Sequence, residues 1–263
     1  MRLFIELAYN GAPYCGWQRQ PDQPSVQQTL EESLSTLLRI TTPVVGAGRT
    51  DTGVHASQIF AHCDVTLEAL LQLESRQTKE QETTRLLKRL TQKLNSLLPK
   101  SIAVTQIFEV NDDAHARFDA TSRSYRYRIT TTKNPFTEDS VHYLRQSLDI
   151  TAMQEACSYL LGKQDFQCFS KVKTDVNTYF CDITDAYWEV VDGEYHFRIT
   201  ANRFLRNMVR AIVGTLLYIG QGHAAPSHIE DVIASKDRGK AGTSVPAHGL
   251  YLTEVIYPDK IKG

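Results

Sequence analysis

Hydrophobic and polar positions alternate at the start of the chain. Leu3, Ile5 and Leu7 predict a strand with one buried face, and Gly11, Pro13 and Gly16 then mark a loop. The period changes after Ser25-Val26-Gln27-Gln28, which fits a helix-capping box. Val26, Leu30, Leu34, Leu37 and Leu38 form a helical stripe behind it. A short strand is expected around Pro43 to Val45, and Ile59, Ala61, Cys63 and Val65 alternate as another. Residues from about 73 to 84 are polar and charged, and read as an exposed connection. Leu86, Leu87, Leu90, Leu94 and Leu97 then predict a helix ended by Pro99, with Ile102 and Val104 opening a further strand.

The second half keeps this rhythm without repeating the sequence. Tyr125, Tyr127 and Ile129 alternate within Ser124–Thr130, and a helix is expected from about Ala152 to Leu161, stopped by Gly162. Asp185–Val191 and Glu194–Thr200 flank Asp192-Gly193, a two-residue hairpin signal. Leu205, Val209, Ile212, Val213, Leu216 and Leu217 trace a long helix face that ends at Gly220. Pro226 opens a short helix, and Leu250–Ile256 reads as a closing strand. The order fits an α+β chain made of two similar, ferredoxin-like halves with mainly antiparallel sheets. Asn111-Asp112-Asp113 breaks the pattern, so the expected domains are 1–110 and 111–263.

Composition narrows the class. The chain has 263 residues, 41% apolar and 22% charged, as in ordinary globular proteins. No apolar run is long enough for a membrane span, and the first residues lack a signal peptide's apolar region, so the cytoplasm is expected. The five cysteines (Cys15, Cys63, Cys157, Cys168 and Cys181) are widely spaced and read as free buried thiols rather than a zinc site. The eight histidines show no metal-ligand spacing. Net charge is −1, which by itself gives no reason to expect a polyanionic partner. The distribution gives one. Arg117, Arg123, Arg126 and Arg128 are accompanied only by Asp119, and Arg198, Arg203, Arg206 and Arg210 by no acid. Local field, not total charge, steers a polyanion, although each group also suits a solvated face.

The chemistry concentrates in Gly46-Ala47-Gly48-Arg49-Thr50-Asp51-Thr52-Gly53-Val54-His55-Ala56. This glycine-punctuated loop presents an arginine, a carboxylate and an imidazole within seven residues. It is not a nucleotide phosphate loop, because Val54 rather than lysine follows Gly53. It is not a dinucleotide fingerprint, because Asp51 stands three residues past Gly48. Asp-Thr-Gly is also the aspartic-protease tripeptide, but that chemistry needs two carboxylates sharing a proton, and the tripeptide occurs once. A glycine turn with a surface ion pair stays open for this loop alone.

Other stretches remove that isolation. Gly48–Ala56 resembles the signature of the TruA family of tRNA pseudouridine synthases. The family's other motifs follow in order: Gly16-Trp17-Gln18-Arg19-Gln20, Ser25-Val26-Gln27, Asn95-Ser96-Leu97-Leu98-Pro99 and Ala116-Arg117-Phe118-Asp119-Ala120. Arg123-Ser124-Tyr125-Arg126-Tyr127, Gly162–Phe166, Asn202–Arg210, Gly249-Leu250-Tyr251-Leu252 and Tyr257-Pro258 complete the set. The polar stretch 74–84 departs from the pattern, and Cys181 stands where the family often has a basic residue.

The resemblance implies isomerisation of uridine to pseudouridine at positions 38, 39 and 40 of the tRNA anticodon arm, by a homodimer, with no metal or other cofactor. Asp51 matches the catalytic carboxylate, acting at C1′, at the base, or by driving glycal formation. Arg210 would hold it ionised, with a plain helix-surface arginine as the alternative. Tyr125 would stack on the uracil and take part in proton transfer, or else fill a core edge. Arg49 would occupy the space left by the flipped base or contact phosphate, and Leu250 would wall the base or simply pack in the core. Arg206, with the remaining basic residues, would bind phosphate. His55 is expected to support the loop rather than react. The site is expected in a basic cleft between the two halves. A catalytically idle tRNA-binding protein on the same scaffold is the competing reading, which an intact carboxylate disfavours.

Overall fold

The computed structural model describes residues 1–73, 83–171 and 177–261. Of the polar stretch 74–84, residues 74–82 lie outside the described residues. The chain divides into two compact units, Met1–Thr121 with Thr253–Gly263, and Ser122–Leu252. Both are α+β, with mainly antiparallel pairing. No helix among the described residues is long and apolar enough to cross a membrane.

Unit 1 contains β1 (Arg2–Tyr9), α1 (Val26–Leu38), β2 (Val45–Gly46), β3 (His55–Asp64), α2 (Leu67–Leu71), α3 (Thr83–Leu97) and β4 (Ile102–Val110). β1 lies between β3 and β4 and is antiparallel to both. Its Leu3, Ile5 and Leu7 are fully buried, as their alternation predicts. Ser25 caps α1 by accepting the Gln28 N–H (3.2 Å), and Val26, Leu30, Leu34 and Leu38 are buried. Only half of the capping box forms, because the Gln28 amide turns to Glu32 (2.8 Å) instead of back to Ser25. α3 buries Leu86, Leu87, Leu90 and Leu94. Asn95 ties it to β4, donating to Val104 O and accepting the Val104 N–H, each at 2.7 Å.

Unit 2 contains β5 (Ser122–Thr130), β6 (His142–Tyr143), α4 (Ile150–Cys157), β7 (Gly162–Asp165), β8 (Phe180–Val191), β9 (Glu194–Ala201), α5 (Met208–Gly220) and α6 (His228–Ser235). The strands run in the order β5-β9-β8-β7, with β6 parallel to β5. Asp192 (φ 52°) and Gly193 (φ 80°) close the β8–β9 hairpin, and positive φ at both central residues is what such a two-residue turn demands. α5 buries ten of its residues. β10 (Leu250–Ile256) closes the chain, and the division between the units falls inside it.

The expected break near residue 111 therefore lies within unit 1. Its turn residues serve that unit's own packing: the Asn111 amide donates to Lys260 O (2.8 Å), and the Tyr257 hydroxyl donates to Ala116 O. A loop signal marks where the backbone turns, not where tertiary contacts cease. Cys63, Cys157, Cys168 and Cys181 are free and buried, and burial raises each thiol, to about 12 for the first three and about 11 for Cys181. Cys15 differs, being half-buried beside Gln23 Oε1 (2.8 Å).

The segment after Asn111 is held to β3 by a histidine with a pH consequence. His62, 6% exposed, accepts the Ala116 N–H through Nδ1 (3.1 Å). Burial, with His115 and Arg2 adding to it, lowers its pKa to about 4. An unfolded chain protonates the same histidine near 6.5, so between these values the unfolded state binds the extra proton. His62's contribution is therefore present above about pH 6.5 and is lost as pH falls through about 4. Unfolding midpoints measured across this window should fall with acidification, and less steeply in His62→Gln. The slope should persist in part, because burial also lowers His142 and His196.

Candidate active site

Asp51 sits half-buried in the turn between β2 and β3, and the chain around it is tied down at nearly every residue. Thr50 is buried, its hydroxyl shares a hydrogen bond with the Tyr9 hydroxyl (2.8 Å), and its carbonyl accepts the Trp17 N–H (3.3 Å). Asp51 O accepts the Val54 N–H (3.1 Å), and the Gly53 N–H donates to Tyr14 O (3.3 Å). His55 is 2% exposed and accepts the Gly11 N–H through Nδ1 (3.0 Å). That bond occupies Nδ1 as an acceptor and makes His55 a loop support. The β1–β3 register slips between Leu7 and Tyr9: Leu7 faces Ile59 but Tyr9 faces Ala56, so β3 carries an extra residue. Such a bulge re-aims side chains at the end of a ladder, and here it lies where Tyr9 meets the loop.

The segment 11–17 packs on this loop without room to spare. At Gly11 a methyl group would lie 2.0 Å from Val54 O, and at Gly16 (φ +90°) it would lie 2.4 Å from Thr50 O. Gly48 has nothing within 4 Å of that position, and Arg49 beside it is exposed. The loop thus holds Asp51 on a tied main chain, next to the exposed Arg49 and the uncrowded Gly48.

The unit 2 residues singled out by sequence occupy two places. Tyr125 lies half-buried on β5, its ring edge-on to Phe204 at 5.1 Å. Its strand neighbour Tyr127 is the fully buried one, donating to Pro246 O (2.9 Å). Arg210 lies in the first turn of α5, where Nε donates to Val245 O (2.7 Å) and its carbonyl accepts the Val245 N–H (3.2 Å). The 241–246 segment is pressed on α5, since Gly214 and Gly242 leave no space for a Cβ between them. Arg210 and Tyr127 interact electrostatically, the guanidinium opposing the rise that burial imposes on the phenol. Arg206 is exposed just before α5, and Leu250 is buried at the start of β10.

The arginine-rich stretches are less uniformly available than their sequence suggests. Arg128 makes a two-pronged ion pair with Glu194 (2.9 and 3.0 Å), and Arg198 pairs with Glu189. Both acids arrive from β8 or the start of β9, out of sight of a local charge count. Cys181 is 1% exposed on β8 and points into the core.

The comparisons with known proteins bear on both units at once. Residues 156–258 match a family described as tRNA pseudouridine synthase. The chain is 48% identical over 262 residues to tRNA pseudouridine synthase A of Porphyromonas gingivalis, covering 99% of this chain and 98% of that one. It is 49% identical over 260 residues to the protein of that name from Parabacteroides distasonis, covering 99% and 97%. This chain belongs to the tRNA pseudouridine synthase A family. A more distant member, from Bacillus pumilus, is 36% identical over 261 residues, covering 98% of this chain and 99% of its own. The family inferred from ordered motifs is thus the family found, and kinship spans the Asp51 loop as well as β5 and α5.

Tyr9 belongs to no sequence motif, and Gly11 reads in the sequence only as a loop marker. The available signal for Tyr9 was its place at the end of the β1 alternation, where a buried hydroxyl needs a partner. Nothing local shows that Thr50 supplies it.

Proposed function

We propose that this chain isomerises uridine to pseudouridine in the anticodon stem-loop of tRNA, at positions 38, 39 and 40, acting in the cytoplasm as a homodimer. The observation that carries the reading is near-full-length kinship at 48% identity in a chain whose Asp51 loop is rigidly held. In the reaction the bond from ribose C1′ to uracil N1 breaks and the base turns. C5 then joins C1′, the C5 hydrogen leaves as a proton, and N1 gains one. Atoms balance without oxidant, reductant or energy source.

Asp51 is the essential carboxylate in this reading. Tyr125, half-exposed with its ring edge-on to Phe204, has a face suited to stacking on uracil and a hydroxyl suited to proton transfer. Arg210, its guanidinium oriented by Val245, serves the chemical step. Arg49 offsets the few kcal/mol lost on unstacking the target base, Leu250 walls the base, and Arg206 contacts phosphate. The two α+β units are related, ferredoxin-like halves serving one basic active site.

The test is release of tritium from unmodified tRNA carrying tritium at uridine C5, with no cofactor added. Wild-type protein should release it; binding of tRNA without release would favour the idle RNA-binding protein instead. Arg210→Ala should lower turnover far more than tRNA affinity, measured by single-turnover release and by filter binding. A loss confined to affinity would remove Arg210 from the chemistry.

A further inference from the structure

The catalytic loop has ties of two kinds, and only one kind can be cut without touching the backbone. Trp17 N–H to Thr50 O, Val54 N–H to Asp51 O and Gly53 N–H to Tyr14 O are main-chain bonds. Two others use side chains, His55 with the Gly11 N–H and Tyr9 with Thr50. The second lies immediately before Asp51. Tyr9 and Thr50 are 4% and 8% exposed, so neither hydroxyl finds ready replacement by water. The Tyr9 ring is itself fixed, packed against Trp17 with centroids 6.2 Å apart, and the β3 bulge sets the strand end from which it points.

We infer that Tyr9 is a positioning residue for the reaction: through Thr50 it fixes the placement of the Asp51 carboxylate. The inference rests on the reading of Asp51 as the reacting group. It follows from how steeply catalysis depends on placement, since a shift of about 1 Å can cost about a hundredfold in rate. A carboxylate on a glycine-bounded loop needs a clamp adjacent to it. Thr50 is the neighbouring residue, and its side chain and main chain are held from two directions, by β1 and by the 14–17 segment.

Tyr9→Phe removes one oxygen and keeps the ring. The expected result is a fall in kcat of about ten- to a hundredfold with KM for tRNA unchanged. Independently of activity, hydrogen exchange in peptides covering residues 48–54 should quicken by about tenfold or more, the scale of one lost buried hydrogen bond. Thr50→Ser keeps the hydroxyl and should retain both properties. The double variant Tyr9→Phe/Thr50→Val leaves no orphaned hydroxyl, so thermal stability should return while kcat stays low. Loop exchange in Tyr9→Phe equal to wild type overturns the inference, whatever the activity. So does a kcat loss that recovers together with the melting temperature in the double variant. Absence of tritium release from wild type would instead overturn the assignment of the reaction, and the exchange measurement would still decide whether Tyr9 holds the loop.

Discussion

Asp51→Asn is expected to abolish tritium release from C5-labelled tRNA, by at least about a thousandfold, the scale on which losing an essential reacting group acts. The substitution keeps the shape of the side chain and removes its negative charge. Two main-chain ties of the turn do not involve the carboxylate and stay in place: Asp51 O accepts the Val54 N–H, and Thr50 O accepts the Trp17 N–H. Affinity for tRNA should hold or rise, since a carboxylate facing a polyanion opposes binding. The decisive pattern is therefore intact folding, intact binding and no release. Residual turnover within tenfold of wild type would show that Asp51 is not the essential group.

The second large effect concerns folding rather than chemistry. Gly16→Ala should destabilise unit 1 by about 2–4 kcal/mol and displace the Asp51 loop. Two costs combine. Gly16 has φ +90°, where a side chain is strained, and the new methyl would stand 2.4 Å from Thr50 O and 3.1 Å from Asp51 C, both backbone atoms that cannot rotate away. Relief requires moving the Thr50–Asp51 backbone itself. Thermal melting and loop hydrogen exchange should both report the change, and turnover should fall with them. Gly48→Ala is the contrast: no atom lies within 4 Å of the added group, so melting should stay near wild type. Equal melting temperatures for the two variants would contradict the packing described between the 11–17 segment and the loop.

Much of the fold was legible because burial imposes a period. β1, α1, α3, the β8–β9 hairpin, α5 and β10 all follow from alternation, helical stripes or a positive-φ turn. What was not legible depends on partners distant in sequence. α2 spans only Leu67–Leu71, β6 is two residues and β7 four, too short for any period to emerge. The division of the chain inside β10 reflects where contacts gather, and Asn111 marks only a turn within unit 1.

The site divided in the same way. Asp51 was visible because glycines, an arginine and a histidine crowd its own segment. Its support was not, because Tyr9 and Gly11 reach the loop through a bulged register and a backbone N–H, neither of which leaves a residue-type signal. Arginine counts in β5 and β9 overstated the free cations, because Glu189 and Glu194 meet Arg198 and Arg128 across the sheet.

Conversion of anticodon-arm uridines to pseudouridine through Asp51 can be observed in the RNA itself. Its most direct test is to map pseudouridine in tRNA from cells lacking the gene, after incubation with purified wild-type or Asp51→Asn protein, using carbodiimide adducts read by reverse transcription. New stops reporting positions 38, 39 and 40 are expected with wild type, none with the variant, and no cofactor should be required. Pseudouridine at none of these positions with wild type, or equal conversion by the variant, would contradict conversion through Asp51.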